Sequence, residues 1–511
     1  MSGNDNFFEA FGRHLRTAPS AACLELESGD LLDRAWLDRL SAKYAHVLVE
    51  LGCAPGDRVA VQVEKSPQAL ALYLACLRAG ACFLPLNTAY KNAELSYLLS
   101  NAEPTLFICG REDVEELTPV CAAARVRQVM TLDEAGGGSL GNAARPMPES
   151  FETVGRRRDD IAALLYTSGT TGRPKGAMIS HGAMAYCASV LAQVWKITSD
   201  DILLHALPMF HGHGLFVSSN VALAAGARLI WWPRFVASEI AAAMRRATLF
   251  MGVPTYYHRL LAEEGFTAQS CRRMRLFTSG SAPLSAELHK KFALRTGHGI
   301  VERYGATEAM IISSNPLEGE RRPGSVGLPL PGVDLRIADS DGRPSPAGEI
   351  GQIEVRSPGL FSGYWRMADE SLNEFSSDGY FKTGDVGRVE AGGYLVISGR
   401  SKDVIISGGY NVYPAEVENV LNEHEDVAEA AVIGVPHADF GEAVIAVVIA
   451  RDPNRPPDPG AVIALARTRL ANFKVPKHVV AVTELPRNAM GKVQKNLLRQ
   501  SFADLFERGA A

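Results

Sequence analysis

Thr167-Ser168-Gly169-Thr170-Thr171-Gly172-Arg173-Pro174-Lys175-Gly176 is the stretch on which the reading of this chain turns. It follows an apolar run, Ile161 to Tyr166, that reads as a buried strand. Hydroxyls and glycines alternate, so backbone N–H groups, Oγ donors and Lys175 can surround phosphate oxygens. A Walker A loop needs a Ser or Thr directly after its lysine, and here Gly176 takes that place. The stretch is therefore a phosphate cradle of another kind, placed at the end of a strand.

Working outward, the same strand–helix–strand grammar recurs. Residues 57–63 alternate Val59, Val61 and Val63 as a strand does, and residues 66–78 carry helical apolar spacing with Gly80 as a stop. Residues 81–86 read as strand again, and such units continue to about residue 330, which implies a large α/β region. Gly136 to Gly138 reads as a surface loop without strand-to-helix context. From about residue 320 short strands separated by Gly and Pro take over, at 333–337, 351–355 and 393–398. After Gly399-Arg400-Ser401-Lys402-Asp403 comes a compact tail. Its expected helices cover 414–422 and 458–472, and its expected strands cover 430–434, 443–450 and 478–483. The fold class is thus α/β. A large N-terminal region of several subdomains (residues 1–400) is followed by a small α+β domain (401–511), with the boundary near Lys402.

Composition narrows the function classes. The 511 residues are 47% hydrophobic and 21% charged, the balance of a soluble globular protein. A net charge of -5 gives no basic footprint for nucleic acid. The eight cysteines form no CxxC pair, so neither a zinc ribbon nor a disulfide framework is expected and a reducing, cytoplasmic setting is. The N-terminal segment has no apolar h-region, so no signal peptide is expected. The longest apolar stretch, 69–86, is broken by Arg78 and Gly80 and reads as buried helix and strand, not a membrane span. His205, His211 and His213 lie within nine residues, but no second cluster completes a zinc site at ordinary spacing. Only 13 of the 52 basic residues are Lys, so each lysine's position carries information.

Three further segments complete a constellation. Tyr304-Gly305-Ala306-Thr307-Glu308 offers a ring, a hydroxyl and a carboxylate. Thr383-Gly384-Asp385 offers a carboxylate in a loop. Pro486 to Lys492 ends in a lysine after glycine. With the hydroxyl-rich loop, in this order, they resemble the acyl-adenylate-forming superfamily, which includes acyl-CoA synthetases, luciferases and adenylation domains. The resemblance spans essentially the whole chain. It implies ATP, Mg²⁺ and coenzyme A as the small molecules used. Residues 167–176 would hold the β- and γ-phosphates. Tyr304 would stack on adenine, with Gly280, Ser281, Ala282 and Pro283 along its edge. Thr307 would contact the α-phosphate and Glu308 would help hold Mg²⁺. Asp385 would bind both ribose hydroxyls with Arg400 nearby. Lys492 would catalyse adenylation, and Lys402 would be the hinge of a mobile C-terminal lid. Gly408, Gly409 and Tyr410 would line a pantetheine tunnel after the lid rotates. A lysine acetyltransferase acting on Lys492 is a candidate regulatory partner, because acetylation removes the charge.

The segments around His211, Arg259, Ser281 and Arg303 resemble malonyl-CoA synthetases in particular. That resemblance implies that Arg259, Ser281 and Arg303 surround the acid's distal carboxylate, with His211 near the reacting one. A guanidinium fork is the best-matched partner for a carboxylate. The chain departs from the usual pattern at Gly212, where Thr or Val is customary, and at Ala306 and Ala309, where Met and Thr are. These smaller side chains suggest tolerance of methylmalonate. The chain ends 19 residues after Lys492 with no carrier domain, so free coenzyme A is the expected acceptor. The alternative is a synthetase for another short or medium carboxylic acid. A non-catalytic nucleotide-binding protein would be expected to lack Lys492 or Glu308, and both are present.

Overall fold

The computed structural model describes residues 4–167, 174–437, 439–487 and 492–506. The first sheet has six strands in the spatial order Gln128–Thr131, Leu106–Cys109, Arg58–Gln62, Cys82–Pro85, Ile161–Thr167, Lys175–Ser180. The first five are parallel and the last runs antiparallel. Parallel neighbours need crossovers, and helices such as Pro67–Arg78 supply them. That helix starts where Ser66 Oγ accepts from the Ala69 amide at 3.1 Å, and Pro67 sits at its first position. It is buried from Ala69 to Arg78. The apolar run 69–86 is thus an interior helix followed by an interior strand. No helix among the described residues is long and apolar enough to cross a membrane. Arg78, the break in that run, donates through Nη1 to the Asp38 carboxylate at 2.8 Å and lies over the Phe8 ring.

The second sheet has nine strands. Its centre is parallel: Ile300–Ala306, Leu276–Ser279, Leu249–Gly252, Ile202–His205, Arg228–Trp231 and Ala22–Leu26. Its edges, Met310–Ser314 with Leu328–Pro329 and Leu31–Asp33, pair antiparallel. A four-stranded antiparallel sheet comes next (Asp334–Ala338, Gly351–Arg356, Phe381–Val389, Leu395–Arg400). The tail forms a separate sheet of Ile405–Ser407, Tyr410–Val412, Val427–His437, Gly441–Ala450 and His478–Val482. Helices Pro414–Leu421 and Pro459–Arg469 pack on it through Val417, Leu421, Val462 and Ala466. The α/β architecture with a large first part and a small last part is as expected.

One local expectation changes. Gly138 is not loop but the first residue of a short helix, Gly138–Ala144, which comes after the strand Gln128–Thr131. A Cβ at Gly138 would meet the Thr131 carbonyl oxygen at 2.4 Å, so the glycine serves close backbone packing. All eight cysteines are buried as free thiols.

Candidate active site

The parallel strands of the nine-stranded sheet end together, and the loops leaving their carboxyl ends bring the candidate residues together. Such ends are where open α/β sheets bind ligands. After Ile202–His205 the chain passes Pro208 and enters a π-helical turn, His213–Ser219. π-Helices are rare and concentrate at functional sites. Gly214 permits this one, since a Cβ there would lie 1.9 Å from the Pro208 carbonyl oxygen. Ser218 Oγ donates to the His213 carbonyl and Ser219 Oγ to that of Gly214. The turn presents His213, buried, with Nδ1 3.2 Å from Ser281 Oγ. Its Nε2 and that of His211 are buried and have no hydrogen-bond partner among the described residues. Burial, with Lys492 nearby, lowers His211 to about 4. Burial and Arg303 lower His213 as well. Both imidazoles are therefore neutral at pH 7.

Ser281 follows the strand Leu276–Ser279 with φ +69, left-handed for a residue with a side chain. Such strain costs about 1–3 kcal/mol and persists where neighbours over-determine it. Two contacts hold the chain on either side of Ser281. Arg303 lies under Gly280, where an added Cβ would be 2.4 Å from Cζ. The Glu302 carboxylate accepts from the Leu284 amide at 3.0 Å. Burial raises Glu302 to about 8.

Arg303 is the electrostatic centre of this end. It is 5% exposed, and its Nε and Nη2 are buried without hydrogen-bond partners among the described residues. Burial pulls it down to about 10, still charged at neutral pH. A buried cation with unmet donors is costly unless an anion arrives to meet it. Arg259, by contrast, lies exposed on the helix Pro254–Leu261, beside Tyr256 and without an ion pair among the described residues. The structure gathers His211, His213, Ser281 and Arg303. It does not bring Arg259 into that buried group.

At the other end, antiparallel pairing sets Asp385 opposite Arg400. Arg400 Nε is 2.9 Å from one Asp385 oxygen and Tyr304 OH donates to the other at 2.5 Å. Gly305, near the end of the strand Ile300–Ala306, and Thr307, on the turn after it, are half-buried. Glu308 Oε1 accepts from Thr167 Oγ1 at 3.3 Å and from Tyr364 OH at 3.0 Å. Lys175 opens the strand Lys175–Ser180, with Nζ 3.3 Å from Glu374 Oε1. Ser168, Gly169, Thr170, Thr171 and Gly172 lie outside the described residues. Ala282 is half-buried and Pro283 exposed.

Lys492 comes in from the small domain. As a residue it is exposed, but its ammonium is buried among charges. Burial leads in lowering it, with Arg400 and Arg303 adding, while Asp385 and Glu308 oppose. At the expected hinge, Lys402 is exposed in the 3₁₀ turn Ser401–Asp403. Ser401 Oγ donates to the Gly384 carbonyl at 3.2 Å. Gly408 and Gly409 take positive φ (59 and 82), and Tyr410 is exposed and stacked on Phe473 at 4.7 Å. Among the described residues no group of three metal-ligating side chains occurs, and the ring of His205 is engaged by Lys65 and Gly214.

Residues 13–365 match the AMP-binding enzyme family, and residues 416–492 match its C-terminal domain. The chain belongs to the AMP-binding enzymes. Among its relatives is a malonate–CoA ligase of Arabidopsis thaliana, 36% identical, covering 88% of this chain and 79% of that one. An indoleacetate–CoA ligase of Aromatoleum aromaticum is 34% identical over 97% of this chain and 98% of its own. ATP-bound MatB from Rhodopseudomonas palustris shares 47% identity and a TM-score of 0.96, covering 99% of this chain and 100% of that one. The apo form of MatB superposes with a TM-score of 0.86.

This AMP-binding enzyme also uses residues that sequence reasoning passed over. Lys65, 7% exposed, donates to His205 Nδ1 at 2.8 Å and to the His205 carbonyl at 2.9 Å. Its Nζ lies 4.5 Å over the Trp231 ring, and burial lowers it well below the usual lysine range. His205 Nε2 lies 2.8 Å from the Gly214 carbonyl oxygen, which can only accept, so Nε2 carries the proton. Lys65 thus anchors the π-helical turn that presents His213. The signal for it was a lysine just before the cap of a largely apolar, buried helix, Pro67–Arg78. Lys65→Met should leave His205 Nδ1 unpaired, while the His205 carbonyl keeps the Trp232 amide at 3.0 Å, costing about 1–3 kcal/mol. A lower thermal midpoint by scanning fluorimetry, with reduced kcat/KM for the acid, is the expected outcome.

Proposed function

We propose that this enzyme is an ATP-dependent, AMP-forming ligase that joins malonate, and methylmalonate as well, to coenzyme A through an acyl-AMP. One observation carries the choice of acid: the buried Arg303 guanidinium with unmet donors at Nε and Nη2, beside Ser281 and His213. A distal carboxylate supplies the missing acceptors, whereas acetate or butyrate leaves them empty. The kinship with a malonate–CoA ligase supports the same choice.

In the first half-reaction a carboxylate oxygen attacks the ATP α-phosphorus and the bond to pyrophosphate breaks. Two anions must approach, so the Lys492 ammonium between them stabilises the charge that develops. Asp385 and Arg400 orient the ribose, Tyr304 the adenine and Thr307 the α-phosphate. Glu308 and Thr167, a carboxylate beside a hydroxyl, fit a hard oxygen-seeking cation, and Mg²⁺ held there would neutralise phosphate charge. Neutral His211 lies near the reacting carboxylate without adding charge. In the second half-reaction the thiol sulfur attacks the acyl carbon, the bond to AMP breaks and the thiol proton leaves to solvent. The small domain, residues 401–511, turns about Lys402 between the steps, withdrawing Lys492 and bringing Gly408, Gly409 and Tyr410 to the pantetheine path. Few φ/ψ values need change at such an element end.

Of the three small residues at departing positions, Gly212 supports methylmalonate best. A Cβ there would stand 3.7 Å from Phe216 and 3.8 Å from Leu165, so space of methyl size exists. Ala306 is half-buried and Ala309 packs into the core. AMP release over a panel of malonate, methylmalonate, succinate and butyrate tests the proposal. Malonate should lead, methylmalonate should fall within about 10-fold and butyrate about 10²-fold or more below. Equal rates on butyrate and malonate overturn the dicarboxylate reading. Ligation of another carboxylic acid is the second reading, favoured by the indoleacetate–CoA ligase relative, so indole-3-acetate belongs in the panel.

A further inference from the structure

The phosphate-facing lysine already has an anion. Lys175 Nζ sits 3.3 Å from Glu374 Oε1 and 4.8 Å over the Tyr364 ring. The two partners differ in freedom. The Lys175 side chain is 11% exposed and the Glu374 side chain 32%. Lys175 is fixed at the start of a paired strand. Glu374 follows the short helix Ala368–Asn373, where its amide donates to the Ser371 carbonyl and its own carbonyl accepts from Lys382. Its backbone is held, while its carboxylate reaches inward from the rim. Any phosphate that binds Lys175 must therefore compete with this carboxylate for the ammonium and endure its charge nearby.

We propose that Glu374 is a placeholder for phosphate: it pairs with Lys175 before ATP binds and reclaims the lysine as pyrophosphate departs. This rests on the reading of Lys175 as a phosphate ligand in an AMP-forming ligase. Glu374 touches no reacting atom and is a positioning residue acting through Lys175. Its consequence is directional. Pyrophosphate held tightly by Lys175 would reverse adenylation, since the acyl-AMP and pyrophosphate together regenerate ATP and free acid. A competing carboxylate weakens that hold at the cost of some affinity for ATP.

The test is Glu374→Gln, with Glu374→Asp as the conservative partner, in the full-length enzyme. The readouts are the inhibition constant of inorganic pyrophosphate against MgATP, the KM for ATP and the thermal midpoint. Loss of the carboxylate should lower the pyrophosphate inhibition constant about 2- to 5-fold, within the span expected for a partly exposed ion pair. The KM for ATP should fall in the same direction, and the thermal midpoint should stay put. Glu374→Asp should restore most of the wild-type constant. Raising ionic strength should narrow the gap between wild type and Glu374→Gln, because the pair is screened. An unchanged inhibition constant, or a raised KM for ATP, overturns the placeholder role. Absence of acid-dependent pyrophosphate–ATP exchange in the wild type would instead overturn the functional reading on which it rests.

Discussion

Lys492→Ala is expected to lower acid-dependent pyrophosphate–ATP exchange by about 10²- to 10³-fold, the cost of removing one preorganised charge from a developing anion. The ammonium stands among Asp385, Glu308, Arg400 and Arg303, so its field falls on the space these groups share, where the proposed function puts nucleotide and acid. The same variant should retain most of its rate for thioester formation from supplied acyl-AMP, since no anion pair must be forced together in that step. The two half-reactions therefore separate in one protein. Equal losses in both would mean that Lys492 supports the fold of the site and not adenylation. Enzyme acetylated at Lys492 should behave as the alanine variant does, because the modification removes the same charge.

Arg303→Leu should act with opposite signs on activity and stability. Truncating a buried charge that binds its partner costs about 2–5 kcal/mol, so kcat/KM for malonate should drop about 30-fold or more. Butyrate should gain relative to malonate, because a leucine offers apolar surface where a carboxylate was wanted. The ligand-free protein should nevertheless melt at a higher temperature. Its buried guanidinium lacks acceptors at Nε and Nη2, and an apolar replacement of such a group is often neutral or stabilising. Calorimetry and the acid panel check the two halves separately. A variant that loses stability and keeps its preference for malonate would remove Arg303 from the acid site.

How much of this was legible beforehand depends on the range of the interaction. The strand Ile161–Thr167, the helix Pro67–Arg78 and the change of texture after residue 320 come from local periodicity, and the structure places them within a few residues. The grouping of Tyr304 with Asp385, and of Thr167 with Glu308, came through resemblance, because no spacing rule links residues so far apart. Contacts with neither local pattern nor family motif were invisible. Glu302 tethers the Leu284 amide, Lys65 tethers His205 and Glu374 meets Lys175 only once the chain has closed on itself. The π-helical turn was hidden too, because it depends on the close approach of Gly214 to the Pro208 carbonyl and not on amphipathic spacing. Gly138 shows the reverse error. A glycine cluster looked like loop, yet Gly138 opens a helix and packs closely against Thr131 there.

The fit of Gly280 over Arg303 has a consequence for how this site can diversify. A methyl group at position 280 would overlap Cζ, so any side chain there makes the guanidinium leave its seat. Replace Arg303 by a shorter residue and that conflict disappears. The two positions are therefore coupled: bulk at 280 and the seated arginine exclude one another. Once 280 has filled, a returning arginine cannot take up the same pose. Regaining this arrangement then takes changes at both positions.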